Sequence, residues 1–257
     1  MQKAVLITGC SSGIGLAAAY DLQQRGYQVL AACRKAEDVE RMNQAGFIGI
    51  QLDLDDAQSV EHAAQQVLIA CNNRLYALFN NGGYGVYGTL QTVSRQQFEQ
   101  QFSTNLFGTH QLTMLLLPSM LAQGEGRIIS TSSVMGLIST AGRGAYAASK
   151  YALEAWNDAL RHELHGSGIR VSLIEPGPID THFTANVHQT RHDRPVKNPG
   201  IAARFALPAE AILPPLRHAL ESRHPRLRYP VTLLAWAITV LRRLVPATIM
   251  DRILRVK

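Results

Sequence analysis

Tyr146 and Lys150 stand four residues apart in the run Tyr146-Ala147-Ala148-Ser149-Lys150. On a helix this spacing sets a phenol and an ammonium on one face, one turn apart. A tyrosine is a weak acid, with an unperturbed pKa of about 10, and a nearby cation favours the phenolate and lowers that value. The pair therefore suits proton transfer to or from a substrate oxygen. Ser133 comes thirteen residues earlier, at the end of an apolar run, and brings a hydroxyl that could reach the same oxygen. What remains is to find the elements that would hold these groups, a hydride carrier and a substrate pocket.

The first element is at the start of the chain. Lys3 to Gly9 reads as a short buried strand, Cys10-Ser11-Ser12-Gly13-Ile14-Gly15 as a glycine-rich turn, and Leu16 to Arg25 as a helix. Glycines permit the tight turn and a close backbone approach, and the free N–H groups of the helix N-terminus suit a phosphate. The spacing Gly9-x-x-x-Gly13-x-Gly15 departs from Gly-x-Gly-x-x-Gly. Gly9 to Gly13 also matches the Gly-x-Ser-x-Gly nucleophile elbow of hydrolases. That elbow needs an oxyanion donor from a loop after an earlier strand, and no strand precedes this one.

A second strand, Tyr27 to Cys33, ends where a dinucleotide site distinguishes ribose forms. An acidic residue about 20 positions beyond the glycines would bind a 2′-hydroxyl, whereas this chain has Cys33-Arg34-Lys35. Arg34 can grip a 2′-phosphate with paired hydrogen bonds, which favours NADP over NAD. Strand and helix signals then alternate: a helix near Asp38 to Gln44, a strand Phe47 to Leu52, and a helix opened by Asp53-Leu54-Asp55-Asp56, with Asp55 or Asp56 as its cap. A fourth strand, Leu75 to Phe79, runs into Asn80-Asn81-Gly82-Gly83. Ser94 to Leu121 reads as one long helix with Phe98, Phe102, Leu106, Leu112, Leu115 and Leu116 inside, and Asn105, by residue type, on its surface. Arg127 to Thr131 and Ile169 to Ile174 complete the strands, the last ending in Glu175-Pro176-Gly177-Pro178-Ile179-Asp180-Thr181. This order predicts an α/β fold of the single-domain Rossmann type, a doubly wound parallel sheet of about seven strands with helices on both faces. Ligands then bind at the carboxyl ends of the strands, where Gly9, Arg34, Asn81 and Ser133 all fall.

Composition agrees with this picture. The 257 residues are 46% hydrophobic, and a single core grows to roughly 250 to 300 residues before chains divide. One domain over residues 1–257 is expected. Cys10, Cys33 and Cys71 form no Cys-x-x-Cys pair and no even set, which argues against disulfides and a zinc knuckle. The apolar run Ala4 to Ile7 is too short for a signal peptide, so a cytoplasmic protein is expected. The net charge of +6 is concentrated at one end: residues 217–257 hold nine basic and two acidic side chains. Basic tails favour anionic partners, a membrane surface among them, or simply form a solvated face.

Taken together, Thr8-Gly9-x-x-x-Gly13-Ile14-Gly15, Asn80-Asn81-x-Gly83, Asn105, Ser133, Tyr146-x-x-x-Lys150 and Pro176-Gly177-x-Ile179-x-Thr181 resemble the short-chain dehydrogenase/reductase family in order and spacing. The resemblance covers about residues 3 to 181 and is strongest to bacterial NADP-dependent aldehyde reductases related to hydroxysteroid and retinol dehydrogenases. It implies that Tyr146 is the general acid or base, Lys150 a contact to the nicotinamide ribose that also lowers the tyrosine pKa, and Ser133 the holder of the substrate oxygen. It implies that Asn105 fixes a water in a proton relay, which reverses the surface reading above. Gly9, Ser11, Ser12, Gly13, Ile14 and Gly15 would hold the pyrophosphate, Asp53 and Leu54 the adenine, Asn81 a ribose, and Pro176, Ile179 and Thr181 the carboxamide end of NADP(H). Gly82 stands where the family usually has alanine, a change that could loosen the nicotinamide pocket. The resemblance also implies a homodimer or homotetramer.

Tyr84, Val86, Met135, Ile138, Pro178 and Phe183 are the expected pocket wall, apolar enough for a lipophilic aldehyde or ketone. A substrate lid is expected at about 182–208, where His182, His188 and His192 match no metal spacing. In the tail, about 229–257, Val231 to Leu241 is apolar on all sides and too short to cross a bilayer. Burial within the protein, by packing over the substrate pocket, or in a subunit interface is the favoured reading there, with shallow membrane contact as the alternative. No nucleic-acid partner is expected. A protein that only binds NADPH, as a sensor, is the non-enzymatic alternative, but it would have no use for a proton donor.

Overall fold

The structure, a computed structural model, describes residues 2–181, 183 and 206–255. Seven strands form one parallel sheet in the order β3-β2-β1-β4-β5-β6-β9. They are β1 (Ala4–Thr8), β2 (Gln28–Cys33), β3 (Ile48–Gln51), β4 (Leu75–Asn80), β5 (Gly126–Thr131), β6 (Ile169–Glu175) and β9 (Arg228–Pro230). A separate two-residue pair joins β7 (Ile179–Asp180) to β8 (Leu207–Pro208). The expected doubly wound α/β architecture is therefore present, and its strand order reverses between β1 and β4.

Alternation along the strands divides the core. On β1, Leu6 faces one apolar cluster with Leu30, Leu78, Leu112 and Ile128, while Val5 and Ile7 face a second with Ala31, Phe79 and Leu22. The two clusters lie on opposite faces because side chains alternate with a period of two. A strand buried on both faces reads as the continuous apolar run seen in the sequence. The helices that cover the sheet are α1 (Gly13–Gln24), α2 (Ala36–Gln44), α3 (Ala57–Ala70), α4 (Arg95–Phe102), α5 (Gly108–Gln123), α6 (Gly144–Glu163) and α7 (Leu213–Glu221). Two more, α8 (Leu233–Leu244) and α9 (Ala247–Leu254), lie beyond the last strand.

One local expectation holds and one fails. Asp56 caps α3, accepting a hydrogen bond from the Gln58 N–H at 2.9 Å. His162 and His165 on α6 are exposed. The long helix expected from Ser94 to Leu121 is instead broken by a π-turn at Ser103–Phe107 that separates α4 from α5. Leu112 and Leu116 are buried as expected, whereas Leu115 is 39% exposed. The proposed lid, with His182, His188 and His192, lies almost wholly outside the described residues.

Candidate active site

The catalytic candidates meet on α6. This helix is rich in alanine, the best helix former, and its buried stripe includes Tyr146, Ser149, Lys150, Leu153, Glu154, Asn157 and Leu160. The i, i+4 ladder Tyr146, Lys150, Glu154 thus faces inward along one line. Lys150 Nζ lies 5.9 Å from the Tyr146 ring centroid and donates to the Thr131 carbonyl at the end of β5, at 2.7 Å. Ser133 follows two residues later; its hydroxyl acts on the Tyr146 phenol and accepts from the Met135 N–H at 3.1 Å.

Burial sets the electrostatics here. It pushes the Tyr146 phenol well above its ordinary value; the neighbouring Tyr87 adds to the shift, while the Ser133 hydrogen bond and Arg143 oppose it. It pushes the Lys150 ammonium down to about 8, against the opposing pull of Glu154. The expectation that a neighbouring cation dominates the tyrosine is corrected by this: desolvation of the phenolate is the larger effect. Tyr146 is protonated at neutral pH.

Asn105 is only 2% exposed and sits within the π-turn. Its side-chain carbonyl accepts from the Tyr84 N–H at 3.1 Å, and its amide donates to the Tyr84 carbonyl at 3.0 Å and to Ser149 Oγ at 3.1 Å. The surface reading taken from residue type was wrong, since a locally poor helix former here serves a non-local network. Ser149 in turn donates to the Tyr146 carbonyl at 2.8 Å. A Cβ placed on Gly83 would stand 3.0 Å from Asn105 Oδ1 and 3.9 Å from Lys150 Nζ, so all three crowd one spot.

The glycine-rich turn has the backbone that its residues require. Gly9 adopts φ +74° and Gly13 φ +57°, values that favour glycine. A Cβ on Gly15 would overlap the Gly9 carbonyl oxygen, so the first turn of α1 packs directly on the end of β1. Ser12 occupies the N-cap position of α1 without a side-chain capping bond, and the first N–H groups of a helix lack intrahelical partners. Thr8 Oγ1 accepts from the N–H groups of Asn81 and Gly82 at 2.9 and 2.7 Å, and Thr131 Oγ1 donates to Asn81 Oδ1 at 3.1 Å. The ends of β1, β4 and β5 are thereby joined by side chains.

Gly82 has a reason in this arrangement. A Cβ there would meet Leu54 Cδ1 at 3.0 Å and Thr8 Oγ1 at 3.2 Å, so the position is snug and borders Leu54. Asp53 anchors its own loop, with its N–H donating to Ser59 Oγ and its carboxylate accepting from the Asp55 N–H. Arg34 is exposed at the end of β2. Nearby, Arg41 on α2 donates to the Ser11 carbonyl at 2.7 Å and pairs with Asp38 at 2.9 Å, a brace of the glycine turn that no sequence motif reveals. Thr181 packs on Gly13, and Ile179 begins β7 just past Pro176.

Val134, Met135, Ile138, Tyr146 and Ala147 form an apolar cluster with Ala235, Ile238 and Met250 from the tail, with Phe183 and Tyr87 packed against it. The Tyr146 ring lies 5.8 Å from Tyr87 and 5.6 Å from Phe183, centroid to centroid. Met135, Ile138 and Phe183 were expected in the wall. Tyr87 was not, because an aromatic in a glycine-bearing loop carries no local mark of the site; packing of the tail over the pocket was among the expectations, and Ala235, Ile238 and Met250 supply it.

This geometry agrees with comparison to known proteins. The short chain dehydrogenase family matches residues 3–192. "Uncharacterized oxidoreductase YbbO" of Escherichia coli K12 is 65% identical over 255 residues, covering 99% of this chain and 95% of that one. Human "Retinol dehydrogenase 5" is 34% identical over 278 residues, covering 97% and 87%. Among solved structures, a short-chain dehydrogenase from Streptomyces avermitilis superposes with a TM-score of 0.83 at 28% identity, covering 97% and 95%. One from Burkholderia phymatum, in complex with NAD, does so with 0.81 at 27% identity, covering 94% and 93%. With its sheet order, its glycine turn and its Tyr146–Lys150 ladder, the chain belongs to the short-chain dehydrogenase/reductase family of oxidoreductases.

Proposed function

We propose that the protein is an NADPH-dependent reductase of lipophilic aldehydes or ketones. The observation that carries this reading is Tyr146, a buried, protonated phenol on which Ser133 acts, set into the apolar cluster of Met135, Ile138, Tyr87 and Ile238. A nicotinamide dinucleotide fits the residues present: the uncapped N-terminus of α1 suits its pyrophosphate, Leu54 lies against Gly82 at the strand edge where it would meet the adenine, and Lys150 Nζ has two donors left beyond its bond to Thr131. Arg34 favours the form with a 2′-phosphate. When bound, such a group supplies the hydride.

The chain's own residues do the rest. Ser133 holds the substrate oxygen beside the Tyr146 hydroxyl, which releases its proton to that oxygen as negative charge grows there. Lys150 stabilises the phenolate that results and orients the ribose. Asn105 keeps the Tyr84 loop against α6. In the reverse direction the same phenolate is the base, which is the route for a hydroxysteroid or retinol-type dehydrogenase. The similarity to a protein named retinol dehydrogenase supports keeping that second reading. Association into a homodimer or homotetramer is part of the proposal, supported by Phe107 and Leu115, which are 58% and 39% exposed on the π-turn and α5.

Tyr146→Phe tests the reading. Turnover in an NADPH oxidation assay over aldehydes of increasing chain length, ketosteroids and retinal should drop about 10³-fold, while NADPH fluorescence titration stays unchanged. Undiminished turnover would remove the phenol from the mechanism. An enzyme that fails on every carbonyl yet binds NADPH would support the sensor instead.

A further inference from the structure

The two helices α8 and α9 are apolar on two opposite sides. Their inner sides place Ala235, Ile238, Met250 and Leu254 in the cluster around Tyr146. Their outer sides carry Leu233 at 82% exposure, Trp236 at 57%, Leu244 at 76%, Ile249 at 48% and Ile253 at 60%. Leu233, Trp236, Val240 and Leu244 recur at the i, i+3, i+7, i+11 spacing of a single helical stripe, and Ile249 and Ile253 are one turn apart on α9. The expectation that this segment is covered on all sides is therefore met only on the inner side. A helix that is apolar all round is ordinarily surrounded by protein or lipid, and this one is open among the described residues.

Charge separates the two covers that could fit. Arg242, Arg243 and Arg252 lie on these helices with Asp251 as their one acidic residue. Arg243 is two turns from Trp236, and Arg252 stands beside Ile249 and Ile253. Two copies of such a face would bring like charges together, which opposes association. A bilayer with anionic headgroups attracts them, and a tryptophan is at home at the headgroup level. No described helix is long and apolar enough to cross a membrane, so the contact is shallow.

We propose that the outer side of α8 and α9 docks on an anionic lipid bilayer, with Leu233, Trp236, Leu244, Ile249 and Ile253 in the interface and Arg243 and Arg252 against the headgroups. The inner side of the same two helices packs beside Tyr146, so docking sets the apolar pocket next to the lipid. The docking stands apart from the identity of the substrate, and a chain that reduced no carbonyl would still bind vesicles.

The test is co-sedimentation of the full chain with vesicles of phosphatidylcholine alone and with vesicles containing about one third phosphatidylglycerol. The wild type should pellet with the anionic vesicles at least about tenfold more than with the neutral ones, with a blue shift of Trp236 emission. The double variant Leu233→Glu/Leu244→Glu should stay in the supernatant with unchanged circular dichroism and NADPH binding. Arg243→Glu/Arg252→Glu leaves the apolar stripe in place, should lose the anionic preference, and serves where the first variant fails to fold. A wild type that stays in solution with both vesicles overturns the proposal. So does a Glu double variant that still pellets but halves its mass in analytical ultracentrifugation, which would assign the face to a second copy.

Discussion

The glycine-rich edge and the C-terminal helix pair border one crevice and are held in opposite ways. At the edge the fit is close against backbone: Gly15 packs on the Gly9 carbonyl, and the Thr8 side-chain hydroxyl receives the N–H groups of Asn81 and Gly82. In the tail the fit is side chain on side chain, through Ala235, Ile238 and Met250, with a second apolar side left outward. The edge has no room for one methyl group, while the tail exposes whole leucines. A site that must grip an invariant nucleotide benefits from the first kind of construction. A wall that must accept a lipophilic molecule benefits from the second.

Gly15→Ala should sharpen this contrast most. The added methyl forces the start of α1 away from β1, destabilising the fold by about 3 kcal/mol and abolishing NADPH binding, read by thermal unfolding and fluorescence titration. Near-normal binding would mean that the edge yields more than its contacts imply.

The junction of the two regions comes next. Glu175, at the end of β6, is fully buried with Oε1 3.2 Å from Arg228 Nε on β9, and neither carboxylate oxygen makes a well-aligned hydrogen bond. Glu154, Asp158 and Arg243 also act on it, and burial, then Glu154, raise its pKa to about 7. The folded protein thus keeps a proton that the unfolded chain loses above about 4.5. Stability should fall as pH rises between those two values and stay lower above them. Glu175→Gln should remove that fall, leaving the variant more stable than wild type by on the order of 2 kcal/mol at pH 8 and about equal at pH 5. A difference that does not vary with pH would assign the titration elsewhere.

Arg34→Ala addresses the edge without touching its backbone. The Michaelis constant for NADPH should rise about 10- to 100-fold while that for NADH barely moves, the loss of charge-assisted hydrogen bonds to one phosphate. Equal effects on both would refute the 2′-phosphate assignment. The smallest effect belongs to the tail: Trp236→Ala should change stability by no more than about 0.5 kcal/mol by thermal unfolding, since an exposed side chain leaves no cavity. A large loss would show that the outer side is covered within the protein after all.

Much of this arrangement was legible in the residue order. Strands β1 to β6 announce themselves as apolar runs because they are buried on both faces, and Gly9, Gly13 and Gly15 mark a turn that only small residues can make. Tyr146 and Lys150 share a face by helical period alone, and Ser133 and Asn81 fall at strand ends that the alternation of elements turns to one side. The sequence by itself therefore determined the sheet and the set of polar groups at its edge. Only the tertiary structure decided what those groups experience. Asn105 reads as a surface residue until the π-turn and the Tyr84 loop close around it. Tyr146 reads as a phenol eased by a cation until burial, a sum over many distant neighbours, proves the stronger effect. The tail reads as apolar on all sides, and it took the packing of Ala235 and Ile238 on one side to leave Leu233 and Trp236 on the other. Local spacing is set by bonds along the chain, whereas burial and desolvation depend on what folding brings together from far away.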